Sequence, residues 1–241
     1  MPITGQHIVK SFDEEIARLG NDIVRMGGQV ETQIDLAMRA IASRDSELAS
    51  EVVAGDSKVD GLEDMIEEQV VRLFALRSPV ANDLRLAFAA MRIAAELERM
   101  GDLAKNAAKR AIILNQAAPV RPVHVLPRMA AVVQRMLKDV LDAFVERDAD
   151  RARAVWRNDA EVDELHNSLF RELLTYMMED PRHITACTHM LFIAKNIERM
   201  GDHTTNIAEQ VIFVVEGSKP DTLRPKTETV INRSGDAAVD D

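Results

Sequence analysis

Glu98-Arg99-Met100-Gly101-Asp102, with Asn106 four residues further on, recurs as Glu198-Arg199-Met200-Gly201-Asp202, with Asn206 four residues further on. Five identical residues at an offset of one hundred identify a tandem duplication. What both copies keep is an acid pair at i, i+4, the spacing that places two side chains on one face of a helix. Such a pair is costly to bury and calls for a cation or a partner surface.

The duplication extends outward from the pentads. Arg44-Asp45 matches Arg147-Asp148, and Asp56, Val59-Asp60 and Leu62 match Asp159, Val162-Asp163 and Leu165. Pro79 matches Pro181. Prolines and helix caps between these landmarks divide each half into three long helices. In the first half they run over about 7–43, 45–77 and 81–116, with Asp45 as an N-cap and Ser78-Pro79 as a stop. Gly27-Gly28 is a candidate bend in the first of them. In the second half, Pro122 and Pro127 bracket the entry to a helix ending near Arg147. Asp148 opens another, to Met178, and Asp180-Pro181 breaks it; the last runs from about His183 to Glu216, with Gly217 as its stop.

The expected fold is therefore all-α: two tandem three-helix bundles, over 5–117 and 122–216. Residues 217–241, rich in Lys, Pro, Asp, Thr and Ser, are expected to be a disordered tail. Aromatic residues are only 4% of the 241, while the strong helix formers Ala, Leu, Met, Glu and Arg abound, which agrees.

The acids fall into register when counted from the hairpin turns. Asp60 stands 19 residues before Pro79 and Glu98 19 after it; Asp56 and Asp102 stand 23 before and 23 after. In an antiparallel hairpin with equal rise per residue these pairs share a level. Around Pro181, Asp163 and Glu198 stand 18 before and 17 after, and Asp159 and Asp202 stand 22 before and 21 after. His166 occupies the place of Glu63. Four carboxylates per hairpin would repel one another unless a cation neutralised them. An all-oxygen set suits magnesium, manganese or iron better than zinc. Asn106 and Asn206 could add carbonyl oxygens or support the ligands, and Glu63 and His166 could join them. The competing reading pairs the acids with Arg72, Arg85, Arg92, Arg99 or Arg199 and binds nothing. Gly101 and Gly201 read first as close helix packing, and Met91, Met100, Met190 and Met200 as core. His203, beside Asp202, could be a ligand but reads first as a hydrogen-bonded or solvated histidine.

A net charge of −10 argues against nucleic acid and favours cations or basic protein surfaces. The single Cys187 allows no internal disulfide and reads as a small buried residue. Asp13-Glu14-Glu15 stands where a secretion signal would need apolar residues, and no run has the roughly 18 apolar residues of a membrane span. The expectation is a cytoplasmic protein, at most peripheral at the inner membrane through its partners.

The paired pentads, the upstream Val-Asp-x-Leu and the stretch Pro79-Val80-Ala81-Asn82-Asp83-Leu84-Arg85 resemble the PhoU family of regulators of bacterial phosphate uptake. The resemblance implies tandem three-helix bundles, usually as a homodimer. It also implies multinuclear metal sites built from Asp56, Asp60, Glu98 and Asp102, and from Asp159, Asp163, Glu198 and Asp202. It further implies binding to the ATP-binding subunit of the phosphate ABC transporter and to a phosphate-sensing histidine kinase, and negative regulation of the phosphate-starvation response. Arg99 and Arg199 are candidates for partner contact. Two rivals stand beside this. A carboxylate-bridged di-iron enzyme would need two Glu-x-x-His pairs, and only Asp163 and His166 come close. A metal-free helical adaptor would use its acids to attract basic partners. With no nucleophile–base pair and no glycine-rich phosphate loop in the sequence, a non-enzymatic regulator is expected.

Overall fold

A computed structural model describes residues 4–218 apart from Ser78 and Val80; for 4–13 and 122 it describes the backbone alone. The expected tail lies outside the described residues from Lys219 onward. The helices are α1 (Thr4–Ser43), α2 (Ser46–Gly55), α3 (Ser57–Arg77), α4 (Ala81–Leu114), α5 (Val125–Glu146), α6 (Ala149–Glu179) and α7 (Ile184–Glu216). Short 3₁₀ turns precede α5 and α7. The described residues contain no strand, and no helix among them is long and apolar enough to cross a membrane.

The same device ends the first helix of each half. Arg44 and Arg147 take left-handed backbone (φ 57° and 55°), and Asp45 and Asp148 then cap α2 and α6. An L-residue in that conformation costs about 1–2 kcal/mol. Arg44 offsets this by donating from Nη2 to the carbonyls of Asn115 and Ala117, at 2.7 and 2.6 Å, where α4 ends. Asp45 Oδ1 accepts from the amides of Glu47 and Leu48 at 3.0 and 2.9 Å. Asp45→Ala is expected to cost about 1 kcal/mol, measured as a lowered urea midpoint with unchanged slope.

Helix boundaries differ from the expectation in the first half, where α1 begins at Thr4 rather than near residue 7. The second helix of the first half is interrupted at Asp56, whereas its counterpart α6 runs unbroken through Asp159. Asp56 keeps helical dihedrals (φ −58°, ψ −40°), but its carbonyl accepts from Val59 at 2.8 Å and from Asp60 at 3.3 Å, so the turn tightens without ending the rod. The third helix ends at Leu114, not Gln116. Gly27-Gly28 leaves α1 unbroken. A Cβ at Gly27 would lie 2.3 Å from Leu141 Cδ1, so this glycine serves the approach of α1 to α5 across the two halves.

The halves are not separate cores. α4 and α7 lie against each other along their length and α1 packs on α5, so the buried side chains of both halves form one cluster. Glu96 meets His203, Met100 meets Thr204, Arg110 stacks on Phe192 and Arg85 lies against Gly217. From Arg85 against Gly217, through Glu96 with Asn206 and Met100 with Thr204, to Arg110 on Phe192, residue numbers fall along α7 as they rise along α4, so the central pair is antiparallel. Met100, Met190, Met200 and Cys187 are buried in this cluster, and Met91 is partly buried against it.

Candidate functional site

In the first half, α3 and the residue before it present Asp56, Asp60 and Glu63 to Glu98 and Asp102 of α4. The Lys105 ammonium joins them, bridging Asp56 Oδ2 and Asp102 Oδ1. One amine reaching both acids puts Asp56 level with Asp102, as the count from Pro79 requires. Burial, and then the charges of Asp56, Asp102 and Asp64, push the Asp60 carboxyl up, with Lys105 opposing. Glu98 is raised by burial and by Asp102, Asp60 and Asp56. Glu63 rises to about 7, from burial first and then the charges of Glu98, Glu67, Asp64 and Asp60. These carboxylates therefore face one another across the hairpin. Lys105 is held well above the ordinary lysine value by its bonds to Asp102 and Asp56.

The second half repeats the plan with different chemistry. Asp159, Asp163 and His166 lie on α6, opposite Glu198 and Asp202 on α7. Burial pushes the His166 pKa down while the Glu198 charge pushes it up, so His166 faces Glu198 as Glu63 faces Glu98. The lysine here is Lys195, 2.6 Å from Glu198 Oε2 and half exposed. Where Lys105 stands in the first half, Thr205 donates to the Asp202 carbonyl at 2.8 Å.

The two pentad glycines serve packing. A Cβ at Gly101 would sit 3.1 Å from Gln33 Oε1 and 3.3 Å from Val59; at Gly201 it would sit 3.0 Å from Asp159 Oδ1. Asn206 is drawn away from the acids by another bond. Its amide and His203 Nδ1 both meet Glu96 Oε2, at 3.0 and 2.7 Å, across the seam between the halves. Burial opposes the Glu96 charge, but those two hydrogen bonds and the nearby Arg99 hold its carboxyl below the usual range. Asn106, Arg99 and Arg199 are exposed.

Sequence reasoning missed Lys105 and Glu96. Lys105 was within reach, since i, i+3 from Asp102 is a contact spacing on a helix. Glu96 was not, because nothing local says that α4 meets α7. The arginines named as rivals for the acids do not bridge Asp56 and Asp102; a lysine does.

Carboxylate oxygens are the donors a hard cation takes, and charge from neighbouring acids adds to burial in raising Asp60, Glu63 and Glu98. The side chains do not form a ready cage: among the described residues no three His, Cys, Asp or Glu groups converge closely enough to hold a metal ion. Ion binding at Asp56, Asp60, Glu98 and Asp102 would require these side chains to turn inward and Lys105 to withdraw.

The family profile described as the PhoU domain matches twice, over residues 23–111 and 126–211. The phosphate-specific transport system accessory protein PhoU homolog of Caulobacter vibrioides is 52% identical over 226 residues, covering 93% of this chain and 98% of that one. Its namesake from Rhizobium meliloti is 45% identical over 223 residues, covering 92% and 94%. The crystal structure of PhoU from Pseudomonas aeruginosa superposes with a TM-score of 0.81 at 39% identity, over 86% of this chain and 100% of that one. The phosphate transport system regulatory protein PhoU from Streptococcus pneumoniae gives a TM-score of 0.81 at 29% identity, over 88% and 100%.

Proposed function

The chain belongs to the PhoU family, and from that premise we propose that it is an accessory protein of a phosphate transport system that represses the phosphate-starvation response when phosphate is plentiful. It acts without catalysis, as an adaptor between the ATP-binding subunit of the transporter and a sensor histidine kinase. It works in the cytoplasm, as a homodimer, and reaches the membrane only through these partners. Support comes from relatives that match nearly end to end and carry transport-accessory names.

The acid clusters are proposed to take iron, manganese or magnesium ions, using Asp56, Asp60, Glu98 and Asp102, and Asp159, Asp163, Glu198 and Asp202. The observation that carries this is the meeting of carboxylates from both sides of the hairpin, where one ammonium reaches Asp56 and Asp102 and where burial first, then neighbouring carboxylate charge, push Asp60, Glu63 and Glu98 up; a cation among them would relieve the charge part. The metal-free adaptor is the second reading, and the Lys105 bridge favours it.

Deleting the gene is expected to switch on phosphate-starvation genes in high phosphate, and continued repression would count against the regulatory role. A pull-down in high phosphate is expected to bring down the transporter ATPase. For the ions, protein purified without chelator is expected to contain manganese or iron. The Asp102→Ala, Asp202→Ala double variant is expected to lose it while remaining folded. Equal metal content in the two proteins would remove these ligands from the proposal.

A further inference from the structure

We propose that Lys105 is a tethered cation standing where a metal ion would stand in the first acid cluster, so that this half carries its own counter-charge and takes an ion only when Lys105 withdraws. The inference rests on the ion reading above. Three observations lead to it. The Lys105 ammonium bridges one carboxylate from each side of the hairpin, Asp56 and Asp102, which is the linkage an ion would make. Asp56 is 5% exposed, yet its Oδ1 has no hydrogen-bond partner among the described residues, so one oxygen of a deeply buried acid retains unused coordinating capacity. The lysine is also particular to this half. Thr205, its counterpart, is 1% exposed and spends its hydroxyl on a backbone carbonyl, while Lys195 is 52% exposed and stands on the other side of its pentad, three residues before Glu198.

The physical content is a competition. An ammonium has one positive charge and three donors, and it gains from the two carboxylates without the dehydration a divalent ion must undergo. A divalent ion entering between Asp56 and Asp102 must displace the ammonium from both carboxylates and send Lys105 into solvent. Its stem is long enough to allow this, and its side chain is already 22% exposed. Lys105 therefore distinguishes the first half from the second toward ions, although Asp56, Asp60, Glu98 and Asp102 have counterparts in Asp159, Asp163, Glu198 and Asp202.

The test is a titration of the metal-stripped full-length chain with Mn2+, read as free Mn2+ by electron paramagnetic resonance and as melting temperature by circular dichroism. Lys105→Met is expected to melt lower than the wild type without metal, because two carboxylates lose their counter-charge. Mn2+ is expected to restore the melt and to bind about tenfold or more tightly than to the wild type. Lys105→Arg, which keeps the charge, is expected to bind Mn2+ as the wild type does. Adding Asp102→Ala to Lys105→Met is expected to abolish the gain, placing it in the first half. If Lys105→Met is unfolded without metal, recovery of its folded signal on adding Mn2+ supports the proposal, and failure to recover overturns it. Saturable uptake by the wild type with the same affinity in Lys105→Met overturns the proposal and leaves the ion reading standing. Uptake by no variant overturns both.

Discussion

Met100→Ala is expected to destabilise the entire chain by about 2–5 kcal/mol, and the loss is expected to be visible at Trp156, in the other half of the duplication. Met100 is fully buried on α4, and its sulfur lies 3.8 Å from Thr204 Oγ1 on α7. Truncation removes the thioether from the seam and leaves a cavity that two long, well-packed helices cannot readily close. The only tryptophan is Trp156, on α6, partly buried against the common core. In urea, its fluorescence and the helical circular dichroism are expected to fall together in one transition, with both midpoints shifted equally by the substitution. A Trp156 midpoint that stayed in place while part of the helical signal melted early would mean that each half folds on its own.

Glu63→Gln is expected to stabilise the metal-free protein at pH 8 by about 1–2 kcal/mol and to do almost nothing near pH 4.5. The Glu63 carboxyl titrates near 7 in the folded chain, against an ordinary value of 4.5. Below 4.5 it is protonated in both states and contributes no difference. Between 4.5 and 7 the unfolded chain gives up its proton first, so native stability falls as pH rises, and above 7 the whole penalty is present. Glutamine imitates the protonated form at every pH, so its advantage grows over the same window. The shift alone would suggest about 3 kcal/mol; the side chain is partly open to solvent, and screening reduces the figure. Equal effects of the substitution at pH 4.5 and pH 8, followed by thermal melts, would remove the charge explanation.

Much of the fold was legible because the signals were local. Pro79, Pro181, Gly217 and the paired Arg-Asp steps mark helix ends through backbone rules that need no knowledge of the rest of the chain. The duplication supplied the second level, since two copies with one register make the facing of Asp56 with Asp102 a matter of counting. What escaped was of two kinds. The merging of the two bundles into one core depends on how α4 and α7 meet, and their apolar faces look the same whether the partner lies in the same half or the other. The Glu96–His203–Asn206 link is part of that seam, so Asn206 could only be assigned to the acids. The break at Asp56 has another origin. A one-turn tightening beside Gly55 is below the resolution of helical periodicity, particularly when the corresponding Asp159 sits in an unbroken helix. Lys105 escaped because the sequence reading weighed arginines as the rivals for the acids, while the counter-charge is a lysine one turn along the same helix.

The antiparallel seam between α4 and α7 has the geometry of a two-fold interface between identical chains, in which every contact occurs twice. Its present contacts do not. Glu96 holds His203 and Asn206, but the mirror position is Asn196, whose buried amide nitrogen has no hydrogen-bond partner among the described residues, and the residues corresponding to His203 and Asn206 are Leu103 and Asn106. In an assembly of two separate copies, any substitution is written into both sides at once, so a change that suits one side must be tolerated by the other. Covalent fusion lifts that constraint. Glu96 against Asn196, Glu63 against His166 and Lys105 against Thr205 are differences only a fused pair can accumulate. A chain built from two copies of either half would keep the helices and lose the asymmetry: doubling the first half would set Glu96 against Leu103 and Asn106, and doubling the second would bring Asn196 to His203.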